Sequence, residues 1–150
     1  MKAVIQRVSD ASITIKDNIV AEINYGLLIL LGIEILDTKE DYIWRVNKIS
    51  ALRIFSDEDG IMNKSITEIN GEVMVVSQFT LHAKTKKGNR PSYIKAARPE
   101  QAMPLYQQFI TALSIAIDKN IKSGEFGANM KIMLTNDGPV TIIIDTKNKE

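Results

Sequence analysis

The chain has 150 residues, 45% hydrophobic and 25% charged, with 19 Lys and Arg set against 18 Asp and Glu. That length fits one domain, 1–150, since folding at this size buries roughly 68–70% of the unfolded chain's surface and needs no staples. No cysteine and a single histidine exclude disulfides, thiol nucleophiles, Cys-ligated zinc, iron–sulfur clusters and multi-histidine metal sites, and a formal charge of +1 gives no global basic footprint for nucleic acid.

Met1-Lys2 leads into Ala3-Val4-Ile5-Gln6-Arg7-Val8, where polar residues interrupt the apolar run that a signal peptide needs. Lys2–Val8 reads as a strand, followed by Ser12-Ile13-Thr14-Ile15 in period-2 alternation. Asp17-Asn18 supplies a tight turn, and Ile19–Ile23 pairs back as a hairpin. Leu27–Ile33 is continuously apolar and reads as a strand buried on both faces. It is far shorter than the roughly 18 residues of a membrane span, so a soluble cytoplasmic protein is expected.

Asp37 or Thr38 caps a helix, with Glu40 or Asp41 completing a capping box; Ile43, Val46 and Ile49 recur at helical spacing to about Leu52. Arg53-Ile54-Phe55 reads as a short strand. Asp57-Glu58-Asp59-Gly60 is a solvated turn, because the spaced ligands and closing Glu of a calcium loop are missing. Glu72–Ser77 is a second buried strand, running into Gln78-Phe79-Thr80-Leu81, and a polar loop spans Lys84 to Pro91. A long helix follows, with Ala102, Leu105, Phe109, Ala112, Leu113 and Ala116 on one face, and Pro104 either starts it or kinks its first turns. Met130–Leu134 and Val140–Ile144 read as strands joined by Thr135-Asn136-Asp137-Gly138-Pro139, and the polar tail Thr146–Glu150 reads as frayed. The sum is α+β: a curved antiparallel or mixed sheet, or a barrel, packed against two main helices.

Three segments bear on chemistry. At the end of an apolar strand, Ser77-Gln78-Phe79-Thr80-Leu81 presents hydroxyls, an amide and backbone N–H donors able to stabilise an oxyanion in ester hydrolysis; alternatively the hydroxyls only satisfy the strand end. From Val73 to Pro99 there is no Asp or Glu, while Lys84, Lys86, Lys87, Arg90, Lys95 and Arg98 accumulate. That segregation makes a local positive field suited to phosphates, although a solvated loop carries lysines too. Asn136-Asp137-Gly138-Pro139 reads as a hairpin turn, or as a device in which Gly and Pro present bare backbone carbonyls. His82 lies two residues after Thr80, so on a strand both share a side with Cα atoms about 6.5 Å apart. No nearby acid orients the imidazole, which favours a packing or exposed histidine.

Together, Ser77-Gln78-Phe79-Thr80-Leu81, Lys87-Gly88-Asn89-Arg90-Pro91-Ser92, Ala96-Ala97-Arg98-Pro99 and Asn136-Asp137-Gly138-Pro139-Val140-Thr141 resemble the D-aminoacyl-tRNA deacylase family. Lys2–Val8 and Gly124-Glu125-Phe126-Gly127-Ala128-Asn129-Met130 carry the likeness to both ends of the chain. Tyr93 departs from the frequent Phe, and His82 occupies a variable position.

The resemblance implies a cytoplasmic homodimer that hydrolyses the ester between a D-amino acid and the terminal adenosine of tRNA, with no cofactor and no metal. Its partner is the 3′ end of aminoacyl-tRNA, not DNA or a membrane. It implies a catalytic pocket around Ser77, Gln78, Phe79 and Thr80, with Met130 at the substrate. A cis Gly138–Pro139 motif reaches in from the other subunit, buttressed by Arg7, and rejects L-amino acids sterically. Glycine, having no side chain to reject, passes, so glycyl-tRNA mischarged on tRNA(Ala) is a further expected substrate. Lys84, Lys86, Lys87 and Arg90 are the expected tRNA contacts. Two competing readings are a non-catalytic tRNA- or nucleotide-binding module using Lys84–Arg98, and a Thr80–His82 esterase for small molecules.

Overall fold

Residues 1–149 are described in the computed structural model. Alternation in the first strand, β1 (Lys2–Ile15), buries Ala3 and Ile5 on one face and changes phase near Val8, after which Ala11 and Ile13 enter a second core. On one side β1 pairs antiparallel with β2 (Asn18–Ile23) and β3 (Gly26–Gly32). Parallel to β3 runs β6 (Glu72–Ser77), and the two-residue β7 (Lys122–Ser123) adds to it; β4 (Phe55–Ser56) and β5 (Met62–Lys64) form a separate small hairpin.

Helices α1 (Lys39–Ala51) and α2 (Pro99–Ile117) cover one face of the sheet. The apolar run of β3 divides as its alternation requires: Leu27, Ile29 and Leu31 face the helices, while Leu28 and Leu30 join the core within the curl. Full burial of each such side chain is worth about 1.5–3 kcal/mol, so this central strand anchors both cores.

Five expectations need correction. The last two predicted strands are one, β8 (Lys131–Asp145), which lies along β1 for its length. Gln6 opposes Thr141 and Val8 opposes Asn136, so the Asn-Asp-Gly-Pro segment is an outward bulge, not a turn. On α1 the buried face is Tyr42, Arg45, Val46 and Ile49, and Ile43 is exposed. On α2 the buried stripe is Ala102, Tyr106, Phe109, Leu113 and Ile117, with Ala116 exposed. Pro99 takes the first helical position, where its missing N–H costs nothing, and Pro104 lies inside the helix.

The tail is held, not frayed. Thr146 is buried and donates its N–H to Met1 O at 3.0 Å; Lys147 reaches both Asp41 oxygens at 3.1 Å. Glu150 lies outside the described residues. Among those residues no helix is long and apolar enough to cross a membrane, and no group of three or more His, Asp or Glu stands ready to hold a metal.

Candidate active site

The site forms where β6 stops. After Ser77 the chain leaves the sheet through Gln78, whose N–H still donates to Leu31 O at 2.8 Å, and turns into a 3₁₀ helix, Phe79–His82. That turn packs directly on β3 because Gly32 has no side chain. A Cβ there would stand 2.9 Å from Gln78 O and 3.0 Å from Leu81 Cβ. The N–H groups of Phe79 and Thr80, first in the turn, have no acceptor among the described residues, as the opening of any helix requires.

Beside this turn lies a cavity of about 580 Å³. Its walls come from the ends of β3 and β6, Tyr93, the start of α2 and the Phe126–Met130 segment. Phe79 and Tyr93 meet edge to face at its lip, centroids 5.1 Å apart. No carboxylate, imidazole, ammonium or guanidinium lines it. Chemistry inside it therefore falls to hydroxyl, amide and backbone groups, and to the substrate.

Ser77, Gln78, Phe79 and Met130 all line the cavity. Thr80 is joined to them through Gln78, whose Nε2 donates to Thr80 Oγ1 at 2.5 Å. The Thr80–His82 pair does not form: the turn separates the two side chains, His82 is buried, and its Nε2 has no partner. Lys84, Lys86, Lys87 and Arg90 sit on an exposed loop, pinched at its base where Lys84 and Ser92 exchange backbone hydrogen bonds of 2.8 and 3.0 Å. Tyr93 follows that base, so the cationic loop springs from the cavity rim.

Arg7, Gly138 and Pro139 lie elsewhere, on the β1–β8 bulge, and line no part of this chain's own cavity. The Gly138–Pro139 peptide is cis, and Gly138 has a φ of 145°, which L side chains rarely adopt. Arg7, 7% exposed, donates from Nε to Asp137 O at 2.9 Å and from Nη1 to Ile54 O at 2.7 Å. Asn136 closes the bulge: its Oδ1 accepts the Val140 N–H at 2.9 Å and its Nδ2 donates to Val140 O at 3.2 Å. The bracing by Asn136 and the Ile54 carbonyl is absent from the sequence reading. An amide residue four positions before the β-branched Val140, across Gly-Pro, is a sequence signal from which the first could have been read. Nothing in the sequence pointed to the second.

The family model described as D-Tyr-tRNA(Tyr) deacylase matches residues 4–145. The chain belongs to that family. Curated proteins named D-aminoacyl-tRNA deacylase from Bacteroides fragilis and Flavobacterium psychrophilum are each 62% identical over 150 residues, covering 100% of both chains. A solved structure described as c-Myc DNA Unwinding Element Binding Protein is 41% identical, with a TM-score of 0.91 over 97% of this chain and 99% of the other. A second, described as a probable eukaryotic D-amino acid tRNA deacylase, is 16% identical, with a TM-score of 0.80 over 95% and 97%, and shows a shared fold. Membership in the D-Tyr-tRNA(Tyr) deacylase family makes the chain a hydrolase, and the end-to-end match includes both the β6 turn and the β8 bulge.

Proposed function

We propose that the chain cleaves the ester joining a D-amino acid to the terminal adenosine of tRNA, a cytoplasmic proofreading reaction in translation. The observation that carries this reading is a cavity free of acids and bases, lined by Ser77, Gln78 and Phe79, beside a turn in which the N–H groups of Phe79 and Thr80 have no acceptor among the described residues. An aminoacyl ester is already reactive, so orientation, a water and an oxyanion site suffice. Water attacks the carbonyl carbon, the two N–H groups receive the oxyanion, and the 3′-oxygen leaves. The 2′-hydroxyl of the ribose relays the water's proton to that oxygen. Thr80, already an acceptor for Gln78, orients the site and forms no covalent intermediate. No cofactor takes part.

Chirality is decided by exclusion. In the proposed homodimer, the carbonyls of Gly138 and Pro139 stand beside the substrate Cα in the partner subunit's cavity. There they meet an L side chain and miss a D side chain, so discrimination rests on rejection and extends across D-amino acids. Glycine is not rejected, and glycyl-tRNA mischarged on tRNA(Ala) is cleaved. Support comes from the exposure of this bulge away from its own cavity, and from β8, whose one partner strand among the described residues is β1 and on which Met133 and Ile143 are 71% and 72% exposed. Lys84, Lys86, Lys87 and Arg90 contact phosphates near the 3′ end. Incubation with D-Tyr-tRNA and L-Tyr-tRNA tests the reading: selective loss of the D ester is expected, and equal hydrolysis or none overturns it.

A further inference from the structure

The C-terminal half of α1 borders a second groove that the hydrolytic reaction does not use. Trp44, Asn47, Lys48, Ala51, Leu52 and Arg53 enclose about 350 Å³. Trp44 is half-buried in its wall, with Lys48 Nζ 5.8 Å and Lys149 Nζ 4.6 Å from its ring centroid. Arg53 spends only Nε internally, on Asn63 O at 2.8 Å. Among the described residues Lys48, Arg53 and Lys149 form no ion pair, whereas Lys64, Lys131 and Lys147 each do. An aromatic ring with two lysine ammonium groups over it, beside an arginine offset only by the more distant Glu68, is complementary to a nucleotide: the flexible lysines move onto the phosphates and leave the ring to the base.

Its position matters as much as its composition. Leu52 and Arg53 run directly into Ile54, whose carbonyl is held by Arg7, and Arg7 also holds the Asp137 carbonyl one residue before Gly138. The groove therefore flanks the bulge. The active-site cavity is of a size for the aminoacyl-nucleoside terminus, so the rest of a tRNA must cross the protein surface. We propose that the Trp44–Arg53 groove binds the acceptor end of tRNA whose terminus occupies the partner subunit's cavity. This rests on the cross-subunit reading of Gly138–Pro139 given above. It adds a contact separate from the Lys84–Arg90 loop.

Trp44 is the chain's single tryptophan, so its emission reports on this groove alone. Titration with uncharged tRNA is expected to change that emission, with an apparent Kd that weakens steeply with salt. Lys48→Glu/Arg53→Glu is expected to weaken binding at least about 10-fold. Its log–log salt slope should be shallower by roughly 1–2, one counterion for each lost phosphate contact. Both side chains are exposed, and Lys48→Gln/Arg53→Gln, with a smaller charge change, is expected to show the same direction. Unchanged emission while filter binding shows tRNA bound overturns the proposal, as does a Kd that the double variants leave unmoved. Hydrolysis of D-Tyr-adenosine is a separate arm. Its absence in the unsubstituted protein speaks against the deacylase reading and leaves the binding result to stand or fall by itself.

Discussion

Replacing Arg7 by methionine keeps an apolar stem of similar length and removes the guanidinium that braces the bulge. Two hydrogen bonds from a charged donor are lost, to Ile54 O and Asp137 O, and each is worth about 1.5–3 kcal/mol. The nearby Asp137 carboxylate, 3.3 Å from Nε and 43% exposed, adds little, because exposed ion pairs are worth about 0–1 kcal/mol. Carbonyl bracing therefore dominates. Arg7→Met should cost about 3–6 kcal/mol, a fall of roughly 6–24 °C in Tm for a chain of this size. Asp137→Asn, which retains the main-chain carbonyl, should cost less than about 1 kcal/mol. Thermal unfolding measures the stability and paired D-Tyr-tRNA and L-Tyr-tRNA hydrolysis measures the consequence. The D/L ratio should drop at least about 10-fold for Arg7→Met and little for Asp137→Asn, since only the former frees the carbonyls proposed to reject L substrates. A destabilised Arg7→Met that keeps the full D/L ratio would refute the link between bracing and chirality.

Thr80→Ala should retain kcat within about 10-fold and yield no acyl-enzyme, because the proposed oxyanion donors are main-chain groups; a loss of several orders of magnitude with a trapped acyl species in the unsubstituted protein would restore Thr80 as nucleophile. Ile143→Glu places a charge on the exposed face of β8 and should sediment as a monomer lacking D-specific activity, whereas an active variant sedimenting like the parent removes that face from the interface. Asp41 is pushed up by burial, but hydrogen bonds from the Thr146 hydroxyl, the Thr38 N–H and Lys147 outweigh this and hold it at about 2, below the ordinary 3.8. Its contribution to stability is then complete above about pH 4 and fades as pH falls through about 2. Denaturation midpoints of the parent and Asp41→Asn should converge over that range, and a gap that stays constant counts against the assignment.

Strands whose neighbours are dictated by burial were readable in advance. Leu27–Leu31 cannot be solvated on either side, and the strand is central as its composition demands. The β6 turn was readable as a place where polar groups gather, but not as a 3₁₀ helix. Its direction depends on the bare backbone of Gly32, 46 residues before Gln78 in sequence, and local propensity carries no trace of that contact. The β8 bulge was misread for the same reason. Asn-Asp-Gly-Pro satisfies every local rule for a hairpin turn, yet antiparallel pairing with β1 on both sides of the segment keeps the strand running and forces the surplus residues outward. Helix faces slipped where a polar residue was buried: Arg45 is wholly enclosed because Met1 O and Ile144 O accept from it, and Ile43 is displaced to the surface. The family motifs pointed to the Ser77–Thr80 turn and, apart from it, to Gly138–Pro139; the contacts of Ile54 and Asn136 that brace the bulge left no such motif.

The Arg7–Asp137 contact joins residues 130 apart in the chain. Contacts of such separation close late, because the loop between them must be ordered before the contact contributes anything. During synthesis, β3 and β6 emerge and lay down the cavity floor well before residue 137 has been added. Under the proposed reading, a nascent chain thus acquires the Ser77–Thr80 turn before the Gly138–Pro139 carbonyls that would refuse an L side chain. On that reading, completion of β8 is the step that adds discrimination to hydrolysis.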